Sequence, residues 1–198
     1  MPRPKTFSPD AALVEAMRAF WDLGYAGASI DILINRLRIR RQSLYDTFTD
    51  KSALFLSALE LYDREHLAIE RQALRSGGRP MDGLLKLAAG WSLAASANRG
   101  RGCLLTLSLS ELAGVEPMLH ERTRTLNDGL ESAIRFRMDE AAEAGDMHPD
   151  TDTGALAAFL VTARHGMMVQ SRAAASPDSI RAVSTELNRR LREAVGVS

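Results

Sequence analysis

Two apolar-patterned segments of about eight residues, IDILINRL at 30–37 and RQSLYDTF at 41–48, are joined by the three residues RIR. Such short segments cannot bury themselves alone. Ile30, Leu33, Ile34 and Leu37 recur at helical spacing, with Ser29 placed to cap the first turn. Leu44 and Phe48 lie one turn apart and are expected to pack on Ile34, Leu37 and Phe20. The same geometry leaves Arg41, Gln42, Tyr45 and Asp46 together on the opposite, polar side. The pair therefore predicts two helices crossing over a third, residues 9 to about 24, which opens at Ser8-Pro9-Asp10 and stops at Gly24.

The rest of the chain is also helical in pattern. A fourth helix is expected from Asp50, carrying Leu54, Leu61 and Leu67, up to the break Ser76-Gly77-Gly78-Arg79-Pro80. A fifth covers about 81–98, a short sixth comes after Cys103, and a seventh runs from Glu116-Pro117 to near Gly145. Asp152 caps an eighth, and Ser176-Pro177-Asp178 opens a ninth. No strand alternation and no fixed-period repeat occurs. The expected fold is all-α with about nine helices: an N-terminal three-helix unit over 1–50 and a larger helical domain over 51–198.

Charge narrows the function. The 198 residues hold 25 basic and 25 acidic side chains, which argues against a protein that coats nucleic acid or membrane with its whole surface. Yet Arg36, Arg38, Arg40 and Arg41 crowd six positions at the start of the third helix. Two helices with this short joint form a helix-turn-helix, whose second helix enters the major groove of DNA. Arginine and a helix N-terminus both suit phosphate. Arg3, Lys5, Arg38, Arg40 and Lys51 are expected to hold the DNA backbone, and Arg41 and Gln42 to read bases. A solvated arginine run on a helical bundle is the plainer alternative.

The stretch FWDLGYAGASIDILINRLRIRRQSLYDTFTDKSALF, residues 20–55, resembles the DNA-binding domain of the TetR/AcrR family of transcriptional regulators. Phe20-x-x-x-Gly24-Tyr25, Ala28-Ser29-Ile30, Ser43-Leu44-Tyr45-x-x-Phe48 and Asp50-Lys51 carry the likeness over about a quarter of the chain. It implies a ligand-responsive repressor: a homodimer on double-stranded operator DNA, with Ser29, Tyr45 and Lys51 on phosphates and Arg41 and Gln42 on bases, whose C-terminal domain binds a small-molecule effector. Two positions depart from the pattern. Arg38 stands where a glycine is usual in the turn, and Arg40 where a small hydroxyl residue caps the third helix.

Within the larger domain, Trp91, Cys103, Leu104, Leu107, Phe136, Phe159, His165 and Met168 are candidates to line an effector pocket; each is also an ordinary core residue type. Phe159 and Met167 on the eighth helix, with Ile180, Val183, Leu187 and Leu191 on the ninth, form stripes that fit either a dimer interface or the chain's own core. Cys103 comes directly after Arg99-Gly100-Arg101-Gly102 at a helix start. It is a candidate redox or electrophile sensor, or a small residue packed under a glycine turn. Asp63, His66 and Glu70 read as a solvated face, and the remaining histidines are scattered, so no metal set assembles. No cofactor motif, nucleophile elbow or phosphate loop is recognisable. A helical small-molecule carrier or enzyme without DNA binding stays as the competing class. One cysteine and no signal-like start favour a soluble cytoplasmic protein without membrane contact.

Overall fold

The computed structural model describes residues 8–195, and Arg3 and Lys5 lie outside them. Every element among the described residues is helical. Helix α1 (Pro9–Gly27), α2 (Ile30–Leu37) and α3 (Arg41–Phe48) form the N-terminal unit. Helix α4 passes through Lys51–Tyr62, a π-helical turn Asp63–Leu67, and Ala68–Leu74. Next come α5 (Pro80–Ala97), α6 (Leu104–Glu111), α7 (Pro117–Glu143), α8 (Thr153–Arg172) and α9 (Pro177–Glu193).

The starts obey simple capping chemistry. Ser8, Ser29, Asp50, Asp152 and Ser176 each accept a hydrogen bond from a first-turn backbone N–H. Each such cap is worth roughly 1 kcal/mol. Arg40 precedes α3 and makes no side-chain cap, as its side chain dictates. Arg38 ends α2 at φ +53°, in the left-handed region that glycine usually fills.

Helix α1 is not continuous. The glycine signal predicts a stop at Gly24, whereas helical hydrogen bonding resumes to Gly27 past a non-helical Gly24 at φ +76°. Its aromatic face meets α4: Phe20 and Tyr25 each stand edge-on to Phe55, and Trp21 stands edge-on to Tyr62 and His66. Leu33 and Leu44 are fully buried, so α2 and α3 are pinned to this base as their spacing predicts. Behind it, α5 packs on the second half of α4 and on α7 and α9, and α8 packs against α7.

The apolar stripe of α9 turns inward. Ile180, Leu187 and Leu191, with Met167 of α8, are at most 1% exposed in the single chain. They close the chain's own core against α5. Val183 and Phe159 remain on the surface. No described helix is long and apolar enough to cross a membrane.

Candidate nucleic-acid interface and inner cavity

Leu44 sets the geometry of the reading head. Because it is buried, the next positions around α3 must face outward, and Arg41, Gln42, Tyr45 and Asp46 are all exposed. Arg38, Arg40 and Ser29 are exposed around them. Asp31 of α2 accepts from Arg41 Nη2 at 2.5 Å, and Asp46 accepts from Gln42 Nε2 at 2.8 Å. Both candidate base readers are thus held by a carboxylate. With its amide nitrogen engaged, Gln42 offers its oxygen to a partner. Arg36 instead reaches back to Asp22 of α1 at 2.7 Å.

Lys51 opens α4 beside this face. Its Nζ lies 4.3 Å from the centre of the Tyr25 ring, a cation–π contact. Partial burial lowers its pKa, against the raising effect of Glu111 and Glu116. The Tyr25 hydroxyl in turn bonds Ser52 and Glu116. The reading head is therefore tied to the larger domain by side chains of α6 and the loop before α7.

The break at Gly24 makes the strongest tie. In an unbroken helix the N–H groups of Tyr25 and Ala26 would donate to the carbonyls of Trp21 and Asp22. Here both N–H groups donate to the Glu111 carboxylate, each at 2.8 Å. The freed carbonyls of Trp21 and Asp22 accept from Arg172 at 3.2 and 2.7 Å. A Cβ on Gly24 would lie 2.7 Å from Glu111 Oε2. Only glycine permits both the backbone angle and the approach.

A cavity of about 200 Å³ lies between α4, α5, α6 and α8. Of the residues expected there, Trp91, Cys103 and Met168 line it. Leu104 is buried beside it, and Leu107 is half-buried. His165 sits elsewhere, bonded through Nδ1 to Thr106 at 2.8 Å and through Nε2 to Asn127 at 2.7 Å. Burial, with a smaller contribution from Arg164, pulls its pKa down to about 4. Phe136 and Phe159 do not line the cavity: they are 65% and 45% exposed. On α7 the inward row is Leu130, Ile134, Met138 and Ala141, and a residue two places beyond Ile134 must face the other way.

Sequence spacing does not single out Tyr62, His66, Glu70 and Arg164 as cavity residues. The π turn explains two of them. It adds a residue to the ladder within Asp63–Leu67 and rotates the helix beyond it. Glu70, read as solvated, therefore points inward, while Asp63 pairs with Arg71 at 2.7 Å. Arg164 has a visible signal, a lone arginine inside the apolar run FLVTARHGMMV. It is fully buried and donates to Glu70 through Nε at 2.9 Å and Nη2 at 2.7 Å. Trp91 Nε1 donates to the same carboxylate at 3.0 Å. Cys103 is buried under the glycine turn, and its sulfur accepts from Tyr62 at 3.3 Å and faces Arg164 Nη2 at 3.6 Å. No cluster of three metal-ligating side chains occurs among the described residues.

A three-helix reading head with an exposed polar recognition face, clamped to a larger helical domain, defines a helix-turn-helix transcriptional regulator. Comparison with known proteins supports this. Residues 80–187 match the family described as Tetracyclin repressor-like, C-terminal domain. The chain belongs to the TetR family. It is 30% identical to the TetR family transcriptional regulator CifR, seen as a cysteine mutant complexed with 26-bp double-strand operator DNA. That match covers 94% of this chain and 98% of the other, with a TM-score of 0.86. It is 29% identical over 182 residues to the HTH-type transcriptional regulator YezE of Bacillus subtilis (strain 168), covering 91% of this chain and 94% of that protein. It is 26% identical over 180 residues to the HTH-type transcriptional repressor ComR of Escherichia coli (strain K12), covering 90% and 86%.

Proposed function

We propose that the chain is a cytoplasmic homodimeric repressor that holds operator DNA and releases it when a small molecule fills the inner cavity. The observation that carries this is the pairing of an exposed Arg41, Gln42 and Tyr45 face with a clamp from the cavity-bearing domain. Ser29, Arg38, Arg40, Tyr45 and Lys51 take the phosphate contacts in this reading, with Arg3 and Lys5 extending them, and Arg41 and Gln42 read bases. Residues 1–50 act as the reader and 51–198 as the sensing and dimerising domain. The role is binding rather than catalysis.

The route from cavity to DNA is physical. Tyr62 and His66 line the cavity and touch Trp21 of α1. Helix α6 starts at the cavity with Cys103 and ends at Glu111 on the reader. A ligand that shifts α4 or α6 moves the recognition helix. Two such helices must meet major grooves about 34–36 Å apart, so a small tilt is enough. The test is anisotropy of a labelled operator, selected from random duplexes, titrated with protein at several salt concentrations. An Arg41→Ala, Gln42→Ala double variant should lose its preference for the selected site. An unchanged preference would refute the reading.

A second reading, covalent sensing through Cys103, is favoured by one observation: two donors converge on its sulfur at the cavity wall. Treatment with N-ethylmaleimide should then weaken operator binding in the native protein and leave a Cys103→Ser variant unaffected.

A further inference from the structure

Arg164 has one donor nitrogen left over. Its Nε and Nη2 serve Glu70 and face Cys103, but Nη1 is buried and has no partner among the described residues. A buried donor without a partner is costly and calls for an explanation. Arg164 lines the cavity, whose other walls include Tyr62, His66, Trp91, Leu87 and Met168.

We propose that this cavity takes a small uncharged molecule with a flat, apolar body and one hydrogen-bond-accepting oxygen, such as an aryl carbonyl compound, held by Arg164 Nη1. The inference rests on reading the cavity as the effector site.

Charge decides the class. Glu70 already balances the Arg164 guanidinium. A carboxylate ligand would bring a second negative charge into a buried site with no unpaired cation facing it among the described residues. His66 does not supply one, because burial favours its neutral form. Arg101 is engaged with Asp22 at 2.7 Å and stacks on Trp21. A cationic ligand would meet Arg164 itself, and the Glu70 oxygens are already taken by Arg164 and Trp91. A pure hydrocarbon would leave Nη1 unsatisfied.

Size and walls decide the rest. A volume of about 200 Å³ is below the roughly 300–1,000 Å³ of drug-sized sites and suits on the order of ten non-hydrogen atoms. Indole, phenol and imidazole rings with a thioether favour a flat, polarisable body.

The experiment is calorimetric titration of the full chain with four molecules of one size: acetophenone, ethylbenzene, benzoate and benzylamine. Acetophenone should bind roughly ten- to a hundredfold tighter than the other three, the value of one hydrogen bond from a charged donor. A Glu70→Gln, Arg164→Met double variant removes both charges together and keeps the volume. It should bind acetophenone and ethylbenzene equally. Glu70→Gln, Arg164→Leu, which likewise leaves no donor at position 164, should give the same levelling if the first double variant does not fold. Benzoate or benzylamine binding best, ethylbenzene matching acetophenone, binding of none of the four, or an unaltered preference in the folded variants would each overturn the proposal. Operator anisotropy in parallel separates the two readings. Selective acetophenone binding with unchanged operator affinity would keep the ligand class and refute the effector role of the cavity.

Discussion

Glu111 and Arg172 mend the same break in α1. The carboxylate of one accepts from the two N–H groups that Gly24 sets free, and the guanidinium of the other donates to the two carbonyls that lose them. A helix defect has become a joint between the reader and the sensing domain. All four groups are satisfied only while α6 and α8 keep their places beside α1.

Removing the carboxylate should therefore loosen the joint. Glu111→Ala leaves the partly buried Tyr25 N–H without a partner, at a cost of about 1–3 kcal/mol in unfolding free energy. Gly24→Ala should cost a similar amount, roughly 1–3 kcal/mol, from its positive φ and the contact with Glu111. Operator affinity should fall in both. Glu15→Ala is the control, since the pair of Glu15 with Arg18 is exposed, and should stay within about 0.5 kcal/mol of the parent. If urea midpoints for Glu111→Ala and Glu15→Ala coincide, the clamp carries no weight.

The reader's two carboxylates give a second prediction. Asp46 holds the Gln42 amide nitrogen, leaving the oxygen to accept from a base amino group. Gln42→Ala should cost ~1–3 kcal/mol on the best site and relax one base position. Asp46→Ala should relax that same position through the freed amide. Lys51→Ala should weaken all duplexes alike and reduce the salt slope by about one unit. A base preference that survives both Gln42→Ala and Asp46→Ala would remove Gln42 from the reading role.

Most helix ends are legible in the sequence because their chemistry is local. Ser8-Pro9, Asp50, Asp152 and Ser176-Pro177 each announce a start that needs no tertiary context. The reading face is legible too, since Leu44 alone fixes which side of an eight-residue helix faces out. The cavity is legible only in part: Trp91, Cys103 and Met168 line it as expected, but its carboxylate depends on a π turn at Asp63–Leu67 that rotates Glu70 inward, and no residue pattern marks that phase change. The joint at Gly24 is hidden for a related reason: glycine signals an end, but only the partners 86 and 85 residues away along the chain show that the helix resumes.

Acid should destabilise the fold through His165. Its folded pKa is about 4, below the roughly 6.5 of an unfolded histidine. Between these values the unfolded chain binds the extra proton and the native one does not. Stability is then full above about pH 6.5 and falls as pH drops toward about 4. Partial exposure limits the loss to on the order of 2 kcal/mol. Neutral His165 accepts from Thr106 and donates to Asn127. A His165→Gln variant should show a flatter dependence of urea midpoint on pH across this window. An identical slope would assign the acid sensitivity to other groups.

The dimer face is the last expectation to place. Leu187 cannot test it, because at 1% exposure in the single chain an arginine there would break the core of one protomer. The surface of α8 offers a better target. Ala155, Phe159, Thr162, Gly166 and Val169 are all exposed and succeed one another at spacings of three and four, so they form one stripe of small and apolar side chains. Phe159 and Val169 are 45% and 53% exposed. The short side chains of Thr162 and Gly166 between them let a second helix approach closely. A two-fold partner would lay its own copy of the stripe against this one. Thr162→Arg places a long charge at the centre of the stripe, on a side chain that faces away from the core. Sedimentation should show monomers with unchanged helical circular dichroism. Affinity for a two-half-site operator should fall by about two orders of magnitude, because the second head no longer binds at high effective concentration. Binding to an isolated half-site should not change. A folded Thr162→Arg dimer with native operator affinity would put the interface on another face.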